Sequence, residues 1–199
     1  MPAYHSKFNS TDGQEMCGCS LMPIKTKVRG PAPPMAADEE DIIDETIKFF
    51  RANVFFRNYD VKGGADRTLI YLTLFVAECL TVCERVDTKT EGEKALRAMA
   101  TKGFSAPGDP GWTIGGMYPP AKNTAESDGF KSYFKQVREE TGMRVLEVLY
   151  LPDGSKNKWW QSFSKRKVRK HTKLWESTSL TATLISDSFC SLWARLSNP

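Results

Sequence analysis

The stretch DRTLIYLTLFVAECLTVC, residues 66–83, constrains the fold more than any other part of this sequence. Its charged residues are Asp66, Arg67 and Glu78, and apolar side chains occur on every side of a helix drawn through it. A helix that is apolar all round is buried on all sides, in a protein core, in a lipid bilayer or against a partner. Which of these applies decides the fold class.

Length and charge favour the protein core. There are 16 residues from Thr68 to Cys83, whereas the hydrocarbon core of a membrane needs roughly 20 residues of helix at about 1.5 Å per residue. Glu78 near the middle would cost about 2.5 kcal/mol or more in lipid, and no cluster of Lys or Arg flanks either end. We therefore expect no membrane contact and predict a central helix from Asp66, its cap, to about Val86.

Two helices are predicted on either side of the central helix in the chain. The first covers about residues 39–56, because acidic residues open it and apolar residues recur at helical spacing. The second begins at a capping box formed by Thr90 and Glu93 and runs to about Ala100. Both helices have one apolar face that can pack against the central helix.

The second half of the chain is predicted to be a long loop followed by helices. Residues 103–124 contain five Gly and four Pro, which is typical of a loop. A helix follows at about 125–141, and Gly142 is expected to end it. MRVLEVLY, residues 143–150, suits a helix or a strand, and the helical surroundings favour a helix. LPDGSKN is expected to form a turn, and a last basic helix to begin near Lys158.

These elements predict an all-α fold, a compact multihelical domain in which the others surround the central apolar helix, plus an irregular N-terminal arm. The arm covers residues 1–37, since RGPAPP at 29–34 cannot continue a helix and favours an extended path. The helical domain covers residues 38–170. Residues 171–199 form a divergent C-terminal tail rich in Ser and Thr, for which four interpretations stay open: a helix, a membrane- or partner-seeking extension, an alternative transcript end and disorder.

Residues that carry catalysis are scarce in this sequence. His5 and His171 are the two histidines, both in expected terminal segments, so a His-centred catalytic group has little to build on. An enzyme would need an unexpected pocket joining Glu78 to the turn between Cys79 and Cys83. The five cysteines lack the spacing of zinc ribbons and are expected to be core and surface thiols. We therefore expect a protein without enzymatic activity that binds no cofactor or metal. We also expect it to be cytoplasmic, because the polar N-terminus does not look like a secretory signal.

A basic strip near the C-terminus is the feature most typical of an interaction site. Residues 154–175 contain eight Lys or Arg and no Asp or Glu, which leaves 20 Lys or Arg against 24 Asp or Glu elsewhere. In one interpretation Trp159 and Phe163 face the core and the cations are solvated; in the others the aromatics meet a protein groove or stack on single-stranded nucleic acid. The candidate partner-binding residues are Trp160, Lys165, Arg166, Lys167 and Arg169.

Seven phrases of the sequence, in this order, resemble one known family. They are MPAYHS, RGPAP, DIIDETIKFFRANVFFRNYD, ADRTLIYLTLFVAECL, PGDPG, VREETG and NKWWQSFSKRK, and they span residues 1–167. The family is that of the 21 kDa subunit, subunit 3, of the actin-related protein 2/3 complex. Its members usually end soon after the KRK at 165–167, whereas this chain continues to residue 199.

The resemblance implies a non-enzymatic, all-helical subunit of a seven-member complex that nucleates a daughter actin filament on the side of an existing one. The partners it implies are the actin-related protein 3 subunit, the other subunits of the complex and the actin filament. It also implies a position near the branch junction in the cytoplasmic actin cytoskeleton. The alternative is a free helical module that binds single-stranded nucleic acid through the basic strip.

Overall fold

The computed structural model of this chain describes residues 3–11, 13–54, 59–114 and 116–165. These residues form a 3-10 turn at Lys7–Ser10, a small antiparallel hairpin and five α-helices. The strands are β1 (Glu15–Met16) and β2 (Cys19–Ser20), and the helices are α1 (Ile42–Val54), α2 (Gly64–Glu84), α3 (Lys89–Thr101), α4 (Thr124–Leu149) and α5 (Lys158–Lys165). The predicted all-α class is confirmed. The division of the chain at residues 37 and 170 stays a prediction, and the tail lies outside the described residues.

α2 is the centre of the fold, as its apolarity predicts. Fifteen of its 21 residues are buried, including the large side chains of Tyr71, Leu72 and Phe75. The helices α1, α3, α4 and α5 and the strand β2 all contact it. Within the described residues, no helix is both long enough and apolar enough to span a membrane.

α1 begins at Ile42, slightly later than predicted, because Asp41 is its cap. The Asp41 carboxylate accepts hydrogen bonds from the backbone N–H groups of Ile43 and Asp44 at 3.0 and 2.9 Å. Arg144 of α4 donates to the same fully buried carboxylate at 2.8 and 2.9 Å. Asp41 therefore fixes the start of α1 and ties it to α4.

α3 begins at a different capping box from the predicted one. The box consists of Thr88 and Glu91, two residues before Thr90 and Glu93. Both pairs have the required spacing, but Thr88 has the extended backbone of an N-cap residue, whereas Thr90 already lies inside the helix. The sequence pattern therefore had two solutions, and the structure uses the earlier one.

Gly142 lies inside α4 and does not end it, contrary to the prediction. A Cβ atom at this position would lie 3.4 Å from the Cβ of Leu96, an ordinary van der Waals distance, so the space does not demand glycine. The residues on both sides of it, Thr141 and Val145, are buried in the core, and this packing outweighs the cost of about 1 kcal/mol that glycine brings to a helix interior. α4 continues to Leu149, which confirms the helix favoured for residues 143–149.

The predicted N-terminal arm is irregular in path but belongs to the core. Cys17, Cys19, Met22 and Ile24 are each at most 3% exposed. The hydroxyl of Tyr133 in α4 donates to the carbonyl of Met22 and accepts from its N–H, both at 2.9 Å. The four cysteines of the described residues are all buried, so none of them is a surface thiol.

Asp66 holds the N-terminal segment instead of capping α2 as predicted. The N-cap of α2 is Gly63, whereas Asp66 lies in the first turn and is fully buried. Its carboxylate accepts from the Ser6 N–H at 2.8 Å and from Asn9 Nδ2 at 2.7 Å, and lies 2.8 Å from His5 Nδ1. Burial raises the pKa of this carboxyl, but the polar contacts outweigh burial and the net pKa is lowered.

Glu45 of α1, also fully buried, holds the same segment. Its carboxylate accepts from the hydroxyls of Tyr4 and Ser6 at 2.9 and 2.7 Å. It also accepts from the backbone N–H of Lys7 at 2.8 Å. Two buried carboxylates thus supply acceptors that a segment without a regular hydrogen-bond ladder needs when it leaves water.

Replacing Thr88 by Ala tests the start of α3. The substitution removes the oxygen that accepts from the Glu91 N–H at 3.2 Å, so we expect the free energy of unfolding to fall by about 1 kcal/mol in urea denaturation. Thr90→Ala is the matched control, because it removes the same atoms two residues later, and should change this free energy by less than about 0.5 kcal/mol. Equal losses in the two variants would contradict the assigned cap.

Candidate partner-binding surface

A tight turn directs the last described helix back onto the body of the protein. The N–H of Asn157 donates to the carbonyl of Leu149, at the end of α4, over 2.7 Å. Gly154 has a φ of 80°, in the left-handed region that glycine adopts without strain. The turn predicted for LPDGSKN is therefore confirmed, and α5 follows it and packs against α2.

α5 places Trp160 and Phe163 in the core. Each is 7% exposed, and their ring centroids lie 5.6 and 5.3 Å from that of Phe50 in α1. Trp160 was predicted to bind a partner, but a ring buried in this way offers no stacking surface to another molecule. The reason is its spacing of three residues from Phe163, which puts both rings on the face that meets α1 and α2.

Trp159 is the aromatic residue that α5 exposes. It is 46% exposed, and its ring centroid lies 4.8 Å from those of both Trp160 and Phe163, with interplanar angles of 84° and 76°. The interpretation in which Trp159 and Phe163 both face the core is therefore wrong for Trp159 and confirmed for Phe163. Helical spacing could not decide the matter, since residues three and four apart are both neighbours on a helix surface.

The described part of the basic strip contributes two lysines. Lys156 Nζ donates to the carbonyl of Cys83 at 2.9 Å and lies 6.0 Å from the ring centroid of Tyr150, so its charge is tied to the end of α2. Lys158 is the first residue of α5 and is exposed. The other predicted partner-binding residues cannot be placed, so their part in binding stays a prediction. The side chain of Lys165 lies outside the described residues, as do Arg166, Lys167 and Arg169.

The groups that an enzyme would have needed are buried in α2. Cys79 and Cys83 are fully buried, and burial raises the pKa of the Cys83 thiol to about 11, which keeps it protonated at neutral pH. Burial also raises the pKa of Glu78, whose Oε2 has no hydrogen-bond partner among the described residues. Among all the residues that the structure describes, no group of three His, Cys, Asp or Glu residues is placed to hold a metal ion.

The described residues define an all-α protein with a largely buried central helix and an exposed tryptophan next to Lys158. A family model described as P21-Arc, the ARP2/3 complex ARPC3 (21 kDa) subunit, matches residues 1–172. The chain belongs to this family. The resemblance found in the sequence is thereby confirmed.

Relatives from distant organisms are similar to this chain over nearly their whole length. Subunit 3 of the actin-related protein 2/3 complex from Arabidopsis thaliana is 44% identical over 165 residues, 82% of this chain and 95% of that protein. The subunit 3 from Schizosaccharomyces pombe is 43% identical, over 84% of this chain and 97% of the relative. The Saccharomyces cerevisiae one is 40% identical over the same shares.

Alanine substitutions at the two tryptophans test their opposite placement. Trp160→Ala removes a buried ring, so we expect the free energy of unfolding to fall by about 3–5 kcal/mol. Trp159→Ala removes a half-exposed ring and should cost well under half as much. Urea denaturation of the two variants measures the difference. The reverse order of losses would show that α5 is rotated relative to the arrangement described.

Proposed function

We propose that this chain is a non-catalytic structural subunit of the ARP2/3 complex that contributes to actin filament nucleation and branching by holding the actin-related protein 3 subunit at the branch junction. The family match over residues 1–172 carries this proposal. Further support is that the match covers 95–97% of the three relatives named above. Nearly the whole of a subunit 3 is therefore present, in a protein that we place in the cytoplasmic actin cytoskeleton.

Such a subunit would act by its shape. α2 is enclosed by its neighbours, Glu45 and Asp66 fix the N-terminal segment, and the contact of Asp41 with Arg144 fixes α1 to α4. A body that is already ordered loses little conformational entropy when it binds. It can therefore hold a neighbour in one orientation, which nucleation requires because two actin-related subunits have to imitate the end of a filament.

The basic strip supplies the electrostatic part of the proposal. Lys165, Arg166, Lys167 and Arg169 would meet acidic surfaces of actin or of an actin-related subunit. Exposed ion pairs of this kind add little affinity, but they speed up encounter and suppress wrong partners. The strip would therefore affect how fast contacts form more than how long they last.

The nucleic-acid alternative has lost its support. The family and the named relatives are subunits of an actin-related complex. The alternative also relied on two neighbouring tryptophans to stack on bases, and one of them, Trp160, is buried. Binding to single-stranded RNA that weakens steeply with salt would be needed to revive it.

Purification of the chain from cells tests the proposed function. We expect a tagged full-length chain to recover the other subunits of the complex, including both actin-related proteins in equal amounts, as identified by mass spectrometry. The matched control is the tagged Trp160→Ala variant, which should recover less because its fold is weakened. Recovery of neither actin-related protein with the wild-type chain would refute the proposal.

Charge reversal in the basic strip tests its electrostatic part. In the variant with Lys165, Arg166 and Lys167 changed to Glu, we expect slower branching in a reconstituted actin assay and a weaker dependence of the rate on salt. The control reverses three exposed lysines elsewhere in the chain: Lys27, Lys89 and Lys135. The control should keep the wild-type rate and salt dependence. If the strip variant keeps them too, the strip is a solvated face and this part of the proposal is wrong.

A further inference from the structure

We infer that Trp159 is the anchor of a docking surface for another subunit of the complex, one that presents an apolar pocket bordered by carboxylates. The inference rests on the proposed function and deepens it, because it names a contact residue and the chemistry of its partner. Three features of the structure carry it: the exposure of the ring, the support beneath the ring and the charge around it.

The exposed ring is unusual within this protein. Among the described residues, the large apolar side chains that are exposed are Trp159, at 46%, and Leu151, at 42%. Both belong to the segment that joins α4 to α5 and begins α5. Tryptophan is strongly enriched at the energetic centres of protein interfaces, because one ring removes a large apolar area from water. Trp159 is therefore the residue of this segment best suited to the centre of an interface.

The ring is held in place before any partner binds. Trp160 and Phe163 support it from below with centroids 4.8 Å away, and these two rings in turn rest on Phe50. The backbone is fixed as well, since the Trp159 N–H donates to Asn157 Oδ1 at 3.0 Å. A side chain that is ordered in the free protein gives up little entropy on binding, which favours its use as an anchor.

The charge around the ring selects an acidic partner. Lys158 precedes Trp159 in the chain and is exposed. A cationic surface would be repelled here, whereas a carboxylate at the border of an apolar pocket would meet Lys158 while the indole fills the pocket. A protein surface fits this arrangement better than a nucleic acid, because a single exposed ring provides no platform for successive bases.

The test measures binding of the full chain to a complex assembled from the other subunits without subunit 3. We expect Trp159→Ala to weaken binding about 30-fold, as loss of an interface anchor does, and Trp159→Phe to weaken it less. Lys135→Ala, at an exposed position of α4, is the matched control and should bind like the wild type. Urea denaturation of each variant checks that the fold is kept. Raising the salt concentration should weaken wild-type binding, and Lys158→Glu should weaken it at low salt.

The outcomes separate this inference from the proposed function. If the wild-type chain binds and Trp159→Ala binds equally well, the inference is wrong while the proposed function stands. If the wild-type chain does not bind at all, the proposed function itself fails. Binding that ignores salt and Lys158→Glu would refute the acidic partner. Trp159-dependent self-association of the purified chain, or Trp159-dependent binding of a single-stranded oligonucleotide, would assign the surface to a different occupant and overturn the inference.

Discussion

The burial of most of α2 sets a condition that every neighbouring element has to meet. Fifteen of its 21 residues are buried, and the partly exposed ones, such as Leu74, Ala77 and Thr81, lie on one side of the helix. On the other sides each neighbour contributes apolar side chains to cover it. The N-terminal segment, α1 and α4 enclose its first half, and α3, α5 and the end of α4 enclose its second half. Two carboxylates that enter this interior, those of Asp66 and Glu45, have their hydrogen bonds matched, which offsets the cost of burying them. Glu78 Oε2 is an exception, since it has no hydrogen-bond partner among the described residues.

The positions of the helices followed from the sequence, but their ends did not. Apolar periodicity is a property of many residues together, so it survives local ambiguity. A helix end depends on one or two residues, and several candidates satisfy the same rule. Asp41 is the cap of α1, and its carboxylate is also held by Arg144, which is distant in sequence. Gly142 is an interior residue because residues on both sides of it, Thr141 and Val145, pack in the core. Neither this packing nor the contact with Arg144 can be read from local sequence.

The interaction surface was only partly predictable for the same reason. Composition indicated the basic strip and its aromatic residues, since charge and residue type need no fold. Which tryptophan faces outward depends on where Phe50 lies, and eight residues of helix leave that choice open. The role of the N-terminal segment was missed because its anchoring acceptors, Glu45 and Asp66, are about forty and sixty residues further along the chain.

The bond between Met22 and Tyr133, which spans 111 residues, has a consequence for synthesis on the ribosome. The segment around Met22 completes its packing only after α4 has emerged, because its partners on α4 follow it in the chain. At roughly 5–20 residues per second, translation leaves that apolar stretch uncovered for roughly 6 to 22 seconds. During this interval the nascent chain is open to aggregation, and we expect ribosome-associated chaperones to shield its beginning.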